Sequence, residues 1–588
     1  MDIDGGTSAS ETDQDHGPLS GRPWLASYAP GVAAEADIPA ESLPEMLVSS
    51  AERYGKRVAL DFFGAETTYT GLLEEVNQAA EALRVLGVRA GDRVAVVLPN
   101  CPQHVVAFYA SLRLGAVVVE HNPLYTASEL EHQLGDCGAK FVVCWDKVAA
   151  VIDGLRGKTA VEVILAVNLT TALPRRMRLA LRLPVAKARA TRASMTGPVP
   201  HGVLSWEEVA SSAGPIDSAF PQPYPEAVAL LQYTGGTTGT PKGAILTHRN
   251  LRANAAQGRA WVPGLKDGEE TVYAVLPLFH AYGLTLCLTF SMCLGATLVL
   301  LPRFDLDQMF TAIRRRPPTF LPAVPPIYDR LAAAALERGV DLTSIRFAIS
   351  GAMALPPALV ETWEAVTGGL LVEGYGMTET SPISLGNPVA PSRRPGTVGV
   401  PFPSTTIRIV DPDLPSKDQP IGESGELLIR GPQVFAGYWG YPEETAAVLL
   451  PGGWLRTGDI AVADADGFVR IVDRIKELII TGGFNVYPSE VEDVLLELPE
   501  IAEVAVVGIR SAGDVGEEVV AAVVLSAGAT IDPEQVRGYA HERLTGYKVP
   551  RRFVVLGDLP RSQIGKILRR SVRDRIVEMD QGDGGLAG

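Results

Sequence analysis

Eleven consecutive residues, Tyr233-Thr-Gly-Gly-Thr-Thr-Gly-Thr-Pro-Lys-Gly243, carry four glycines, four threonines and one lysine directly after the apolar run Val228-Ala-Leu-Leu231. A strand that opens into such a loop exposes successive backbone N–H groups, and a concavity of N–H donors binds phosphates. The glycines let the backbone approach a ligand, Thr234, Thr237 and Thr238 add donors, and Lys242 supplies a mobile point charge. The pattern is not a P-loop, because Pro241 precedes the lysine and Gly243 follows it. A flexible linker of Gly and Thr is the bland alternative, but the apolar run and the rigid proline are unlike one.

Further stretches could do chemistry, each with its own bland reading. Glu373-Gly-Tyr-Gly-Met-Thr-Glu-Thr380 puts a glycine-flanked Tyr375 where an adenine could stack, Thr378 near a phosphate and Glu379 where a carboxylate could meet Mg²⁺. A lone loop glutamate is otherwise simply solvated. Trp454-Leu-Arg-Thr-Gly-Asp459 ends in a carboxylate after a tight turn, a common arrangement that can also accept two ribose hydroxyls. His280 in Leu276-Pro-Leu-Phe-His280 reads as a packed core residue as readily as a reactive one, and Ser350-Gly-Ala-Met353 as a simple turn. Pro560-Arg-Ser-Gln-Ile-Gly-Lys566 offers one lysine on a glycine turn.

In this order and register the motifs resemble the acyl-adenylate-forming superfamily, and within it the fatty-acyl-CoA synthetases, from about Ser42 to Arg570. The resemblance implies a catalytic set of Lys566, His280, Thr234 and Glu379, with Thr234 and Glu379 holding Mg²⁺. It implies ATP and AMP contacts from Gly235, Gly236, Thr237, Thr238, Gly239, Lys242, Gly351, Glu373, Gly374, Tyr375, Gly376, Thr378, Asp459 and Arg474. His280, Leu284, Gly351, Ala352 and Met377 would line the acyl channel, Lys476 would be a hinge, and Gly482 and Gly483 a CoA tunnel. Leu284 stands where some long-chain members carry a tryptophan, and Gln563-Ile564 where many carry Ser or Thr. The implied reaction joins a fatty acid to CoA at the expense of ATP, giving acyl-CoA, AMP and pyrophosphate. An aryl-acid ligase, or an enzyme that hands the acyl group to a carrier protein, stays open as an alternative.

The elements that must position these residues follow from patterning. At roughly 100–200 residues per domain, 588 residues imply several domains with sizeable cores. Alternating apolar strands and helices (Arg93–Pro99, Gln103–Leu114, Val117–Val119, a helix capped by Thr126 and Glu129, Phe141–Cys144) imply a parallel doubly wound sheet, and the alternation resumes after Val228. The expected architecture is α/β plus α+β. A large N-terminal domain at 22–475 holds two sheet layers, at about 45–225 and 226–398, and a small β-barrel at about 399–475. A smaller mobile α+β domain follows at 476–575. Residues 1–21 and 576–588 read as tails.

Net charge is −16, which excludes the basic footprint of a nucleic-acid binder. Five cysteines without a C-x-x-C pair fit free thiols in a reducing cytoplasm. Ala281–Leu301 is uncharged and long enough to span a bilayer, but Gly283, Gly295 and recurring Ser and Thr favour a buried helix and strand. Pro174 to Ala193 carries seven Arg and Lys residues and no acid, interleaved with leucines. It reads equally as a solvated excursion, a homodimer contact, or a peripheral attachment to the inner face of the membrane.

Overall fold

The computed structural model describes residues 17–234, 241–481, 484–510, 517–562 and 565–583. Short runs of β-branched residues, buried on both faces, form the strands of two large sheets. The first has eight strands in the order Gly437–Tyr438, Lys242–Thr247, Val228–Thr234, Val117–Glu120, Arg93–Val97, Phe141–Trp145, Val163–Val167 and Leu204–Ser205. The second has nine, with Leu370–Gly376, Phe347–Ser350, Phe320–Ala323, Thr271–Ala274 and Thr297–Leu300 consecutive in its parallel centre. Helices such as Pro102–Arg113 and Ala127–Cys137 cross between strands, as parallel pairing requires.

The division of the sheets at residue 225 is corrected by this pairing. Val58–Phe62 joins the second sheet through Thr297–Leu300, and Val228–Thr234 joins the first through Val117–Glu120. An apolar run reports burial but not which neighbour it hydrogen-bonds, so the exchange leaves no mark on local sequence. Thr126 and Glu129 form the expected reciprocal cap, and the helix runs on to Cys137 before Gly138 ends it at φ 62°.

Ala281–Gly283 is helical, Leu284–Thr289 makes a π-helical turn, Phe290–Leu294 returns to α, and Thr297–Leu300 is a central strand. Leu284, Leu288, Phe290 and Leu294 are completely buried, so the apolarity of this stretch belongs to the core. Among the described residues no helix is long and apolar enough to cross a membrane.

A five-stranded antiparallel sheet (Thr406–Val410, Ser424–Arg430, Trp454–Ala463, Leu449–Leu450, Val469–Arg474) leads into the C-terminal part. There a three-stranded sheet packs its own apolar core, with Val491, Leu495 and Val506 on one side and Val572 and Ile576 on the other. Both tails are shorter than expected. Helix Arg569–Asp583 continues through 576, because Val572 and Ile576, four residues apart, share one buried face. At the other end Leu19 and Trp24 join the main core. The cysteines of the described residues are free thiols, four of them buried.

Candidate active site

Two strands flank the glycine-rich stretch. Val228–Thr234 and Lys242–Thr247 are antiparallel, with Thr234 directly opposite Lys242. Gly235, Gly236, Thr237, Thr238 and Gly239 lie outside the described residues. Strand Gly437–Tyr438 adds to the outer edge of these two strands, pairing Tyr438 with Ala244. That edge places the Tyr438 ring 5.6 Å from Lys242 Nζ, with Tyr441 at 5.4 Å and Glu444 Oε1 at 3.2 Å. The Tyr438 hydroxyl turns the other way and donates to Glu379 Oε1 at 2.7 Å. One tyrosine thus joins the loop lysine to the candidate metal carboxylate.

Glu379 sits in the short 3₁₀ turn Thr378–Thr380, which follows strand Leu370–Gly376. Burial pushes its carboxyl up from the ordinary range, partly offset by the Tyr438 hydroxyl and by Arg474. No ion pair to Glu379 exists among the described residues, so a desolvated carboxylate stands without a protein cation within bonding distance. That is a fitting ligand for a hard cation completed by phosphate oxygens and water. No cluster of three or more His, Cys, Asp and Glu side chains that could hold a metal is present among the described residues.

Asp459 and Arg474 face each other across strands Trp454–Ala463 and Val469–Arg474, with Nε 3.1 Å from Oδ1. Tyr375 donates its hydroxyl to the other oxygen of Asp459 at 2.5 Å. The glycines around Tyr375 have a steric reason, since a Cβ on Gly376 would meet the Pro382 carbonyl oxygen at 1.9 Å and one on Gly374 would touch Ile349. Glu373 is buried and its carboxyl is pushed up to about 8 by desolvation.

Lys566 enters from the C-terminal part. Its turn is closed by Ser562 N–H donating to the Lys566 carbonyl at 2.8 Å, and Gly565 takes φ 82° within 3.5 Å of Met353 Sδ, measured from the Cβ position. Burial, with a smaller push from Arg474, lowers the Lys566 amine to about 8, while Glu477 and Asp459 favour its charge. The lysine therefore lies in the field of the Asp459–Arg474 pair. Lys476 is exposed in the turn Ile475–Glu477, and Gly482 and Gly483 lie outside the described residues.

His280 caps the helical turn Ala281–Gly283 that leads into the π-helical turn, and its Nδ1 accepts the Tyr282 N–H at 3.3 Å. Burial lowers the imidazole to about 4, so it is neutral at pH 7, and with Nδ1 accepting, the ring proton sits on Nε2 as a donor. Tyr282 donates to the carbonyls of Ile349 and Ala323, and its ring stands 3.1 Å from where a Gly351 Cβ would be. Ala352 takes φ 68°, a costly conformation for a residue with a side chain. An apolar cavity of about 1020 Å³ opens on the same segment, lined by Pro277 and Phe279 but by none of His280, Leu284, Gly351, Ala352 or Met377. The Tyr282 ring occupies the space beside Gly351, and Leu284 is fully buried in the π-helical turn.

The model of the AMP-binding enzyme family matches residues 47–439, and that of the AMP-binding enzyme C-terminal domain matches 490–566. The chain belongs to the AMP-binding enzyme family. As such an enzyme it is 38% identical over 559 residues to a long-chain-fatty-acid–CoA ligase of Bacillus subtilis (strain 168), covering 95% of this chain and 99% of the relative. A Yersinia pestis protein of the same name is 38% identical over 564 residues, covering 95% and 99%. Among solved structures, ATP-bound MatB from Rhodopseudomonas palustris superposes with TM-score 0.76 at 30% identity, covering 92% of this chain and 100% of that one. Four site residues of this AMP-binding enzyme, Tyr282, Tyr438, Tyr441 and Glu444, escape the sequence reading. Tyr282 lies two residues after His280, a proximity that could have marked it; the other three reach the loop only through the added edge strand.

Proposed function

We propose that the protein activates a long-chain fatty acid as its acyl-adenylate and transfers the acyl group to CoA, releasing AMP and pyrophosphate. The observation that carries this reading is a charged site and an apolar cavity served by one segment: Pro277 and Phe279 line the cavity, and His280 follows them. Near-full-length relatives that bear the fatty-acid ligase name support the same substrate class.

In this reading Lys242 leaves Glu444 for the phosphates, and Thr234 and Glu379 would hold Mg²⁺, which when bound would neutralise phosphate charge. Asp459, oriented by Tyr375 and Arg474, accepts the ribose hydroxyls. The neutral His280 donates from Nε2 to the fatty carboxylate and orients it. A carboxylate oxygen then attacks the α-phosphorus, the bond to the β-phosphate oxygen breaks, and pyrophosphate leaves. Lys566 stabilises the negative charge that gathers between carboxylate and α-phosphate. Rotation about Lys476 withdraws Lys566 and admits the CoA thiol along the Gly482–Gly483 segment; the thiolate attacks the acyl carbon and AMP departs. The basic segment at 174–193 attaches the enzyme peripherally to an anionic membrane face.

The test is ATP-dependent AMP release with acids of graded chain length, with and without CoA. Long-chain acids should be turned over to thioesters only with CoA. Release with aryl acids alone, or adenylate that accumulates without transfer to CoA, would overturn the assignment.

A further inference from the structure

Between strand Thr271–Ala274 and the helical turn Ala281–Gly283 the chain has no regular element to satisfy its backbone. Side chains of the other large sheet do so instead. Asn100, which is 3% exposed, commits its amide to this stretch: Nδ2 donates to the carbonyls of Ala274 at 2.9 Å and Leu276 at 2.8 Å, and Oδ1 accepts the Leu278 N–H at 2.8 Å.

The next peptide unit, from the Phe279 carbonyl to the His280 N–H, is anchored at both of its polar ends. The His280 N–H donates to the Pro277 carbonyl at 3.2 Å, and Gln232 Nε2 donates to the Phe279 carbonyl at 2.9 Å. Because a peptide unit is planar, two anchored ends fix its rotation, and with it the direction in which the His280 side chain leaves the backbone. The Tyr282 N–H on Nδ1 then sets the imidazole itself.

Gln232 is a poor residue for packing alone. It is 4% exposed in a strand paired on both sides, and its Oε1 is buried with no donor among the described residues. A buried acceptor left unpaired costs free energy that an apolar side chain of similar size avoids. Its neighbour in register, Glu120, is engaged elsewhere, with Oε1 3.0 Å from His104 Nε2. The bond to Phe279 is thus the contact that accounts for an amide at this position. Side chains alternate along a strand, so Gln232 and Thr234 face the same way, roughly 7 Å apart. One strand therefore presents Thr234 and also holds the peptide that carries His280.

We propose that Gln232 is a positioning residue for the first half-reaction: through the Phe279 carbonyl it fixes His280 relative to the phosphate-binding strand, and so sets the carboxylate against the α-phosphate. The proposal rests on the roles given to His280 and Thr234 above, and adds the contact that joins them.

Gln232→Met tests it, because Met keeps the length of the side chain and removes the donor together with the unpaired oxygen. The kcat/KM for the fatty acid in adenylation, read as pyrophosphate release, should fall by roughly ten- to a hundred-fold, as for a reacting group displaced by about 1 Å. The KM for Mg·ATP should stay within roughly two-fold of wild type, since Thr234 keeps its strand pairing. Thioester formation from supplied acyl-adenylate, in which no free carboxylate is aimed, should keep the wild-type rate, and the urea midpoint should stay near that of the wild type. His280→Ala should lose at least as much in adenylation. Adding Gln232→Met to it should cost no more than roughly two-fold further, because no imidazole is left to aim. Losses that multiply in the double variant, or unchanged adenylation in Gln232→Met, overturn the positioning role. So does a fallen urea midpoint with equal loss in both half-reactions, which would mark Gln232 as structural. His280→Ala with wild-type adenylation would instead overturn the role of His280, and the proposal with it.

Discussion

Replacing Lys566 separates the two half-reactions. In the first, negative charge gathers between the fatty carboxylate and the α-phosphate, and Lys566 is the cation that the C-terminal part brings to the Asp459–Arg474 pair. Removing one preorganised donor from a developing oxyanion costs about 10²–10³ in rate, or about 2.7–4 kcal/mol. Lys566→Ala should therefore slow ATP-dependent adenylation by about that factor, read as pyrophosphate release. Thioester formation from supplied acyl-adenylate should stay close to the wild-type rate.

The structure adds a second, sharper readout. With the amine lowered to about 8, Lys566 is charged below that pH and loses its proton as pH rises through it. In the free enzyme roughly nine-tenths of Lys566 is charged at pH 7 and roughly one-tenth at pH 9. The kcat/KM for adenylation, which reports ionisations of the free enzyme, should fall by roughly ten-fold over that interval. Lys566→Arg keeps a charge throughout and should remove the alkaline limb, whatever its absolute rate. Lys566→Ala should flatten it too. Equal losses in both half-reactions, or an alkaline limb that persists in both variants, would refute the reasoning.

Three further outcomes follow from the geometry. Tyr438→Phe removes a donor from the buried Glu379 carboxylate, a bond to a charged group worth about 1.5–3 kcal/mol, so the KM for Mg·ATP should rise by roughly ten-fold or more. Because the lost bond opposes an already raised pKa, the defect should shrink as pH rises; a defect that grows with pH contradicts the assignment. Gly351→Leu should drive its side chain into the Tyr282 ring and cost about 1–3 kcal/mol in urea unfolding, with Tyr282→Ala in the same chain recovering part of the loss. His121 and His248 are buried, with imidazoles lowered to about 4 and about 3. The unfolded chain takes up protons near pH 6.5 while the folded chain does not, so this stability is complete above 6.5 and is lost as pH falls toward the folded values. Each histidine should cost about 1.4 kcal/mol per pH unit in that window, and urea midpoints at pH 7 and pH 5 measure their sum together with the like contribution of His280. Identical midpoints would exclude it.

The residues with the plainest local signature are those whose chemistry needs a particular backbone. Thr234 and Lys242 flank a run of glycines, Glu379 follows a glycine-flanked tyrosine, and Asp459 and Lys566 each follow a glycine with positive φ. Tyr438 has no such mark. Its role depends on a two-residue strand joining the sheet almost two hundred residues after Ala244, its strand partner, a pairing that nothing local to either residue announces. The exchange of strands between the two large sheets was illegible for a related reason. Val58–Phe62 and Val228–Thr234 are apolar runs that either sheet could accept, and the crossovers between elements decide which does.

The contacts around the hinge explain how one lysine can be both well placed and removable. Arg569, three residues beyond Lys566, pairs with Glu477 and with Glu492 (2.5 Å), all on the C-terminal side of Lys476, so this cluster travels as one body. Among the described residues the polar contacts across Lys476 are few: Asp473 accepts the Ser489 N–H at 2.8 Å and lies 3.8 Å from Arg569, and Arg474 shares the field of Lys566. The Lys566 turn rests on Met353 and Pro326 through a glycine, which presents no side chain to interlock. A rigid cluster behind the lysine keeps its position exact to within the packing of the C-terminal core, while a thin polar seam in front of it leaves little to break when that core turns away. Preorganisation for the first half-reaction and release for the second therefore reside in different contacts, and selection can tune one without the other.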